Sequence, residues 1–252
     1  MKNFIFGIHS VCEVLKMRPQ DVEQIIVAQN RTPKNVEEIL SLAKKNKISI
    51  VYKEEGWFKW AHAMSHPMSH QGIVAQVRMK KEMSLDDILD QVKMQEIPAF
   101  FLVLDEITDP HNVGALIRSA ACAGVHAVIL PKRGSAPLTA AVAKTSSGGM
   151  EHVAMIQVAN INYALDRLKK EGVWIVGLAA EAQTHFYEMP GTQALALVVG
   201  NEEQGLKRLV RENCDQLVKI PMVGDMDSLN ASVAGGVALF EVVRQRVKKL
   251  DF

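Results

Sequence analysis

Cysteine is scarce in this chain. Its 252 residues contain three, Cys12, Cys122 and Cys214, far apart and in no C-x-x-C pair. An odd and scattered set excludes a disulfide framework and suits a reducing, cytoplasmic setting. Long apolar runs are missing too. None approaches the roughly 18–20 residues that a bilayer span requires, so no membrane partner is expected. The opening MKNFIFGIHSVCEVL has one lysine and a short apolar run cut by His9 and Glu13, and is not expected to act as a signal peptide. There is no large excess of either charge (net +1), no internal repeat and no low-complexity segment. Two nucleotide fingerprints are absent as well. No G-x-G-x-x-G follows a strand-like run. GNEEQG, residues 200–205, has P-loop glycine spacing, but Leu206-Lys207 stands where Lys-Ser/Thr is required, and its two acids would repel a triphosphate.

What is present is ordinary bulk with an uneven charge. Apolar residues make up 48% and charged ones 23%, enough for a sizeable core in one large domain or two small ones. Residues 1–80 carry 12 Lys and Arg against 7 Asp and Glu, whereas residues 81–252 carry 17 against 21. That asymmetry points the N-terminal part toward an anion such as nucleic acid, although a solvated lysine-rich face would look the same.

The pattern divides the chain into residues 1–76, a charged linker at 77–97 with one short amphipathic piece of a helical turn or two, and residues 98–252. In the first part GIHSVCEVLKM reads as a helix. TPKNVEEILSLAKKN reads as a second, opened by Thr32 and Pro33. EQIIVA, KISIVY and QGIVAQV read as strands. From Pro98 onward five continuous apolar runs follow: AFFLVL, HAVIL, VWIVGLA, LALVVG and LVKIPM. Helical stretches separate them. Unbroken apolar strands interleaved with helices indicate an α/β fold with a parallel sheet covered on both faces.

Chemistry in such sheets gathers at the C-terminal strand ends. Three of those ends are crowded with polar residues and glycine: DEITDPHNVGALIRSA, NEEQGLKRL and VGDMDSLNASVAGG. The ends after HAVIL and VWIVGLA look plainer. Taken singly, each polar residue also has a simple structural reading. Asp109 or Asn112 could cap a helix beginning at Asn112 or Val113. Ser228 and Asn230 could cap the last helix. Arg118 could be a surface residue, and Glu202 a first-turn acid. His62, His66 and His70 recur every fourth residue, but Pro67 interrupts them, so no metal site is expected. Asp105, Glu106 and Asp109 could hold magnesium or form an ordinary acidic loop. Trp57, Phe58 and Trp60 could stack on RNA or fill a small core.

Taken together, DPHNVGALIRSA, VVGNEEQGL and IPMVGDMDSLNASVA resemble the three signature motifs of the SpoU family of RNA ribose 2′-O-methyltransferases, over most of residues 98–252. GIHSVCEVL and HQGIVA are similar to the L30e-like substrate-binding domain that accompanies it. The resemblance implies a C-terminal domain tied in a deep trefoil knot of the SPOUT class, and a homodimer built with the closing helix. It implies 2′-O-methylation of a guanosine ribose in the peptidyl-transferase loop of 23S rRNA, on free RNA or a large-subunit assembly intermediate, with S-adenosylmethionine as donor and no metal. The donor pocket carried over by position comprises Val199, Gly200, Ile220, Met222, Leu229 and Asn230. The catalytic set comprises Asn112, Arg118, Glu202, Ser228 and Asn230. Gly7, His9 and His70-Gln71-Gly72 become candidates for RNA contact. Competing readings are the same chemistry on tRNA or another rRNA site, a non-catalytic RNA-binding protein, and a nucleotide-dependent oxidoreductase.

Overall fold

The computed structural model describes residues 3–29, 36–58, 71–78 and 83–247. His62, His66, His70, Trp60 and the Thr32-Pro33 helix start lie outside these residues. The chain forms two compact units. The first comprises residues 1–81 together with 138–152, and the second comprises 82–137 and 153–252.

The first unit is a four-stranded sheet, β1 (Asn3–Phe6), β2 (Val22–Ala28), β3 (Ser49–Lys53) and β4 (Ile73–Val77), in the order β1-β4-β2-β3. Only β2 and β3 run parallel. Helices α1 (Ile8–Met17) and α2 (Glu37–Lys45) bury Val11, Val14, Leu15, Ile39 and Ala43 against Ile25, Val27, Ile73 and Ala75. The other face of the sheet holds a smaller cluster of Phe6, Ile26, Phe58 and Val74, with Phe4 and Trp57 packed on it. Phe58 is fully buried, and Trp57 meets Phe4 edge-on at 6.0 Å, so both aromatics serve the core. Gln71 Oε1 accepts from the Ile8 backbone N–H at 3.0 Å, satisfying one of the orphan donors at the start of α1.

Residues 138–152 complete this unit with α5 (Ala140–Thr145) and α6 (Gly149–His152). Arg18 donates to both carboxylate oxygens of Glu151, at 2.7 and 3.1 Å, and His152 Nε2 lies 2.6 Å from Glu13 Oε2. The sequence pattern places this stretch among the helices of the second part. The structure counts it with the first.

The second unit begins with a helix inside the expected linker. Ser84 and Asp87 form a reciprocal capping box that starts α3 (Leu85–Lys93), whose Leu85, Ile88, Leu89 and Val92 join the core. The sheet has seven strands: β5 (Phe100–Asp105), β6 (Ala127–Pro131), β7 (Ala154–Val158), β8 (Trp174–Leu178), β9 (Thr184–His185), β10 (Leu195–Gly200) and β11 (Gln216–Lys219). Their order is β7-β6-β5-β10-β8-β11-β9, and every pairing is parallel. β5, β6 and β10 are buried along their whole length, which is why their sequences are unbroken apolar runs. Helices α4 (Pro110–Cys122), α7 (Ile161–Lys170), α8 (Arg208–Glu212) and α9 (Ala231–Val247) follow four of the strands.

Near the end of α9, Arg246 donates to the carbonyls of Pro98, Ala99, Gly191 and Gln193, and its guanidinium lies 4.7 Å from the Phe100 ring centre. One side chain thereby ties the approaches to β5 and β10 to the last helix. No helix among the described residues is long and apolar enough to cross a membrane.

Candidate active site

The parallel order puts the C-terminal ends of β5, β8, β10 and β11 on one edge of the sheet, and the three polar stretches emerge there. The first leaves β5 at Asp105, which is 2% exposed and accepts the Lys207 backbone N–H at 2.8 Å. Burial pushes its carboxyl above the usual range, against the pull of that hydrogen bond. Glu106 follows with φ +56°, and its carboxylate pairs with Lys207 Nζ at 2.6 Å. Two of the three candidate magnesium acids are therefore tied to Lys207. The helix begins at Pro110, two residues earlier than Asn112. Asp109 is its cap, accepting from His111 N–H at 2.9 Å.

That leaves Asn112 free of capping duty. It is buried, 8% exposed, inside the first turn of α4. Its amide nitrogen donates to Glu202 Oε1 at 2.5 Å, and its amide oxygen accepts from Asn230 Nδ2 at 3.0 Å. One side chain thus joins all three polar stretches. Asn230 does two jobs. Its own amide oxygen accepts from the N–H of Ser232 at 2.9 Å and caps α9, while its nitrogen reaches Asn112.

The second stretch folds back on itself. Asn201 and Gly205 exchange backbone hydrogen bonds, and Asn201 Nδ2 donates to the Glu106 carbonyl at 3.0 Å. A Cβ on Gly200 would lie 2.3 Å from the Gly205 carbonyl carbon, so no side chain fits there. α9 sits close for a similar reason. A Cβ on Gly235 would fall 2.3 Å from Leu116 Cδ2 of α4.

Beside this network lies a cleft of about 720 Å³. Val199, Gly200, Ile220, Met222 and Leu229 line it, together with Glu202 and Ser228 at its rim and Ala231 and Ala234 from α9. All five apolar and glycine positions anticipated for a ligand therefore share one wall. Asn112 and Asn230 are not among the residues that line the cleft, and Arg118 lies exposed on α4, also outside that lining. Leu178 at the end of β8 and Ala179, Ala180 and Glu181 after it also line the cleft, as does Arg211 of α8. Sequence reasoning passed over both groups. The β8 end carries little polar signature, because Glu181 is the one polar residue among these four.

A cleft of this size, with apolar walls and free backbone groups at strand ends, suits a small organic ligand. The family model described as "SpoU rRNA Methylase family" matches residues 99–240, and the one described as "RNA 2'-O ribose methyltransferase substrate binding" matches residues 4–83. The chain is 42% identical over 244 residues to the 23S rRNA (guanosine-2'-O-)-methyltransferase RlmB of Vibrio parahaemolyticus, covering 97% of each chain. It is 40% identical over 246 residues to RlmB of Escherichia coli K12, covering 98% of this chain and 100% of that one. The SpoU methyltransferase AviRb of Streptomyces viridochromogenes, solved in complex with AdoMet, shares the fold at a TM-score of 0.78 with 23% identity, over 98% of this chain and 91% of that one. The sheet whose three strand ends converge on Asn112, and the likeness that runs along both units in order, have one source: the chain belongs to the SpoU rRNA methylase family.

Proposed function

We propose that this protein transfers a methyl group from S-adenosylmethionine to the ribose 2′-hydroxyl of a guanosine in the peptidyl-transferase loop of 23S rRNA. Whole-chain identity of 40% and more to RlmB proteins supports the reaction and the substrate class. The observation that carries the site is the Asn230–Asn112–Glu202 chain of hydrogen bonds set against the 720 Å³ cleft. The residues present fit the donor. Val199, Ile220, Met222 and Leu229 would hold its apolar surface, and Gly200 would let backbone approach it closely.

Bound S-adenosylmethionine supplies an electrophilic methyl on a sulfonium. The work left to the protein is alignment and stabilisation of the oxygen that attacks. A guanidinium has donors and no acceptor, so Arg118 is not cast as the base. Its role in this reading is to hold the target phosphate and stabilise the forming alkoxide, while a backbone or phosphate oxygen takes the proton. Asn112 and Asn230 fix the three loops against one another, Glu202 holds Asn112, and Ser228 orients the hydroxyl at the cleft rim.

The partner reading extends to a second copy of the chain. Val233, Val237 and Phe240 of α9 are 49%, 39% and 49% exposed and fall on one helical stripe, which supports a homodimer closed by this helix. RNA would be gathered by the basic first unit. Arg133 and Arg208 line a second hollow of about 510 Å³ at the ends of β5 to β7, beside the Lys207–Glu106 pair, which supports phosphate contact close to the chemistry. The trefoil knot and the cytoplasmic setting belong to the same reading and rest on family membership.

The decisive assay is methyl transfer from labelled S-adenosylmethionine to unmodified 23S rRNA, with the product mapped by mass spectrometry. A single 2′-O-methylguanosine in the peptidyl-transferase loop is expected. Transfer to tRNA alone would overturn the target, and no transfer to any RNA would overturn the activity.

A further inference from the structure

One polar atom at the cleft has an unmet requirement. Arg211 of α8 lines the cleft, and its Nε is buried without a hydrogen-bond partner, the one such side-chain nitrogen or oxygen among the described residues. The other arm of the guanidinium is engaged. Nη1 is ion-paired with Glu181 Oε1 at 2.6 Å, and Glu181 lines the same cleft from the loop after β8.

A guanidinium has donors and no acceptor, so this Nε–H can only donate. A buried donor with no acceptor is destabilising. The Glu181 pair is too well solvated to offset that, since the two side chains are 40% and 54% exposed. An orphan of this kind in a cleft wall is accounted for when its acceptor is a ligand atom.

We infer that Arg211 binds the methyl donor: its Nε–H gives a hydrogen bond to an oxygen of S-adenosylmethionine, and the ion pair with Glu181 keeps the guanidinium in the cleft wall. The inference rests on the reading of this cleft as the donor site. The acceptor chemistry is an oxygen lone pair, available from the donor's carboxylate or from its ribose hydroxyls. Lysine cannot replace arginine in this role, because it keeps the charge and loses the fixed fork.

The test is calorimetric titration of S-adenosylmethionine into the full chain, for wild type, Arg211→Lys, Arg211→Gln, Glu181→Gln and Leu229→Trp, with thermal unfolding of each donor-free protein. Both Arg211 variants should raise Kd about tenfold, the scale of one lost hydrogen bond to a charged group. Glu181→Gln should raise it less, and the donor-free melting temperatures of these three should not fall below the wild-type value. Repeating the titrations with 5′-methylthioadenosine, which lacks the amino-acid part, assigns the acceptor. A loss that persists places it on the ribose, and a loss that vanishes places it on the carboxylate, and both support the inference.

Wild-type affinity in both Arg211 variants overturns it, as does a weaker Kd accompanied by a matching fall in donor-free stability. Leu229→Trp separates the two layers. If it fills the cleft and abolishes binding while the Arg211 variants bind normally, only the role of Arg211 falls. If it binds normally, the cleft reading falls with it.

Discussion

Asn112 and Glu202 stand 90 positions apart in the chain and meet at 2.5 Å, amide nitrogen to carboxylate. The other end of Asn112 takes the Asn230 amide at 3.0 Å. Both halves of one buried amide are therefore committed, each to a different loop. This polarity gives a sharp test. Asn112→Asp keeps the shape and replaces the donor by an anionic oxygen facing another carboxylate. Methyl transfer should fall about a hundredfold, the scale of a 1 Å misplacement of reacting groups. Asn112→Ala removes the links without repulsion and should cost less. Steady-state kinetics with melting temperatures recorded alongside would check the order, and equal activity of Asn112→Asp and wild type would remove the network from the mechanism.

The two adjacent glycines of α9 should respond in opposite directions to the same change. Alanine at either position gains up to about 1 kcal/mol of helix propensity. At Gly235 the added carbon meets fully buried Leu116 at 2.3 Å, and overpacking of this kind costs about 1–3 kcal/mol, so Gly235→Ala should be net destabilising. At Gly236 the nearest atom is Ser119 Oγ at 3.6 Å, an ordinary contact, so Gly236→Ala should be stabilising. For a chain of this size the difference should reach several degrees in Tm by calorimetry.

The apolar stripe on α9 makes a prediction about mass. Replacing Phe240 by Glu, or Val237 by Lys, should convert a dimer into a monomer in sedimentation velocity and leave the circular dichroism spectrum unchanged. A monomeric wild type would dispose of the dimer.

His126 should make stability depend on pH. Burial, with the nearby charge of Arg246, holds its imidazole below the usual pKa, against the raising effect of the Phe100 carbonyl 3.3 Å from Nδ1. Its Nδ1 accepts from the Phe100 N–H at 3.0 Å, and Nε2 lies 3.0 Å from Gln95 Oε1. Between the depressed folded pKa and the unfolded value near 6.5, the unfolded chain binds more protons. Stability from this group is therefore complete above about pH 6.5 and is lost as pH falls below it. Melting curves at pH 7.5 and 5.5 should differ less for His126→Asn than for wild type. An identical difference would show that other groups carry the dependence.

How much of this was legible follows from burial. The runs that became β5, β6, β8, β10 and β11 are nearly continuous in apolar residues because helices cover both faces of the sheet, and they could be read directly. β7 could not. It lies at the sheet edge, only Ile156 of it is buried, and Gln157 is exposed, so the sequence AMIQV carries no clear period. β1 and β9 have four and two residues, too few for any pattern. The capping box of α3 was present as Ser84-x-x-Asp87 but was hidden in a charged stretch. At the site, the three polar strand ends could be read because polar residues are unexpected there. The pairing of Arg211 with Glu181 could not, because the two stand in different loops and neither breaks a pattern.

Residues 138–152 leave the second unit after β6, furnish the first unit with α5 and α6, and return as β7. The units are therefore not successive paragraphs of the gene. A fragment ending near residue 82 would leave Arg18 without the carboxylate of Glu151 and Glu13 without His152. A chimera cut near residue 82 would keep both pairings only if residues 138–152 came from the same parent as the first stretch.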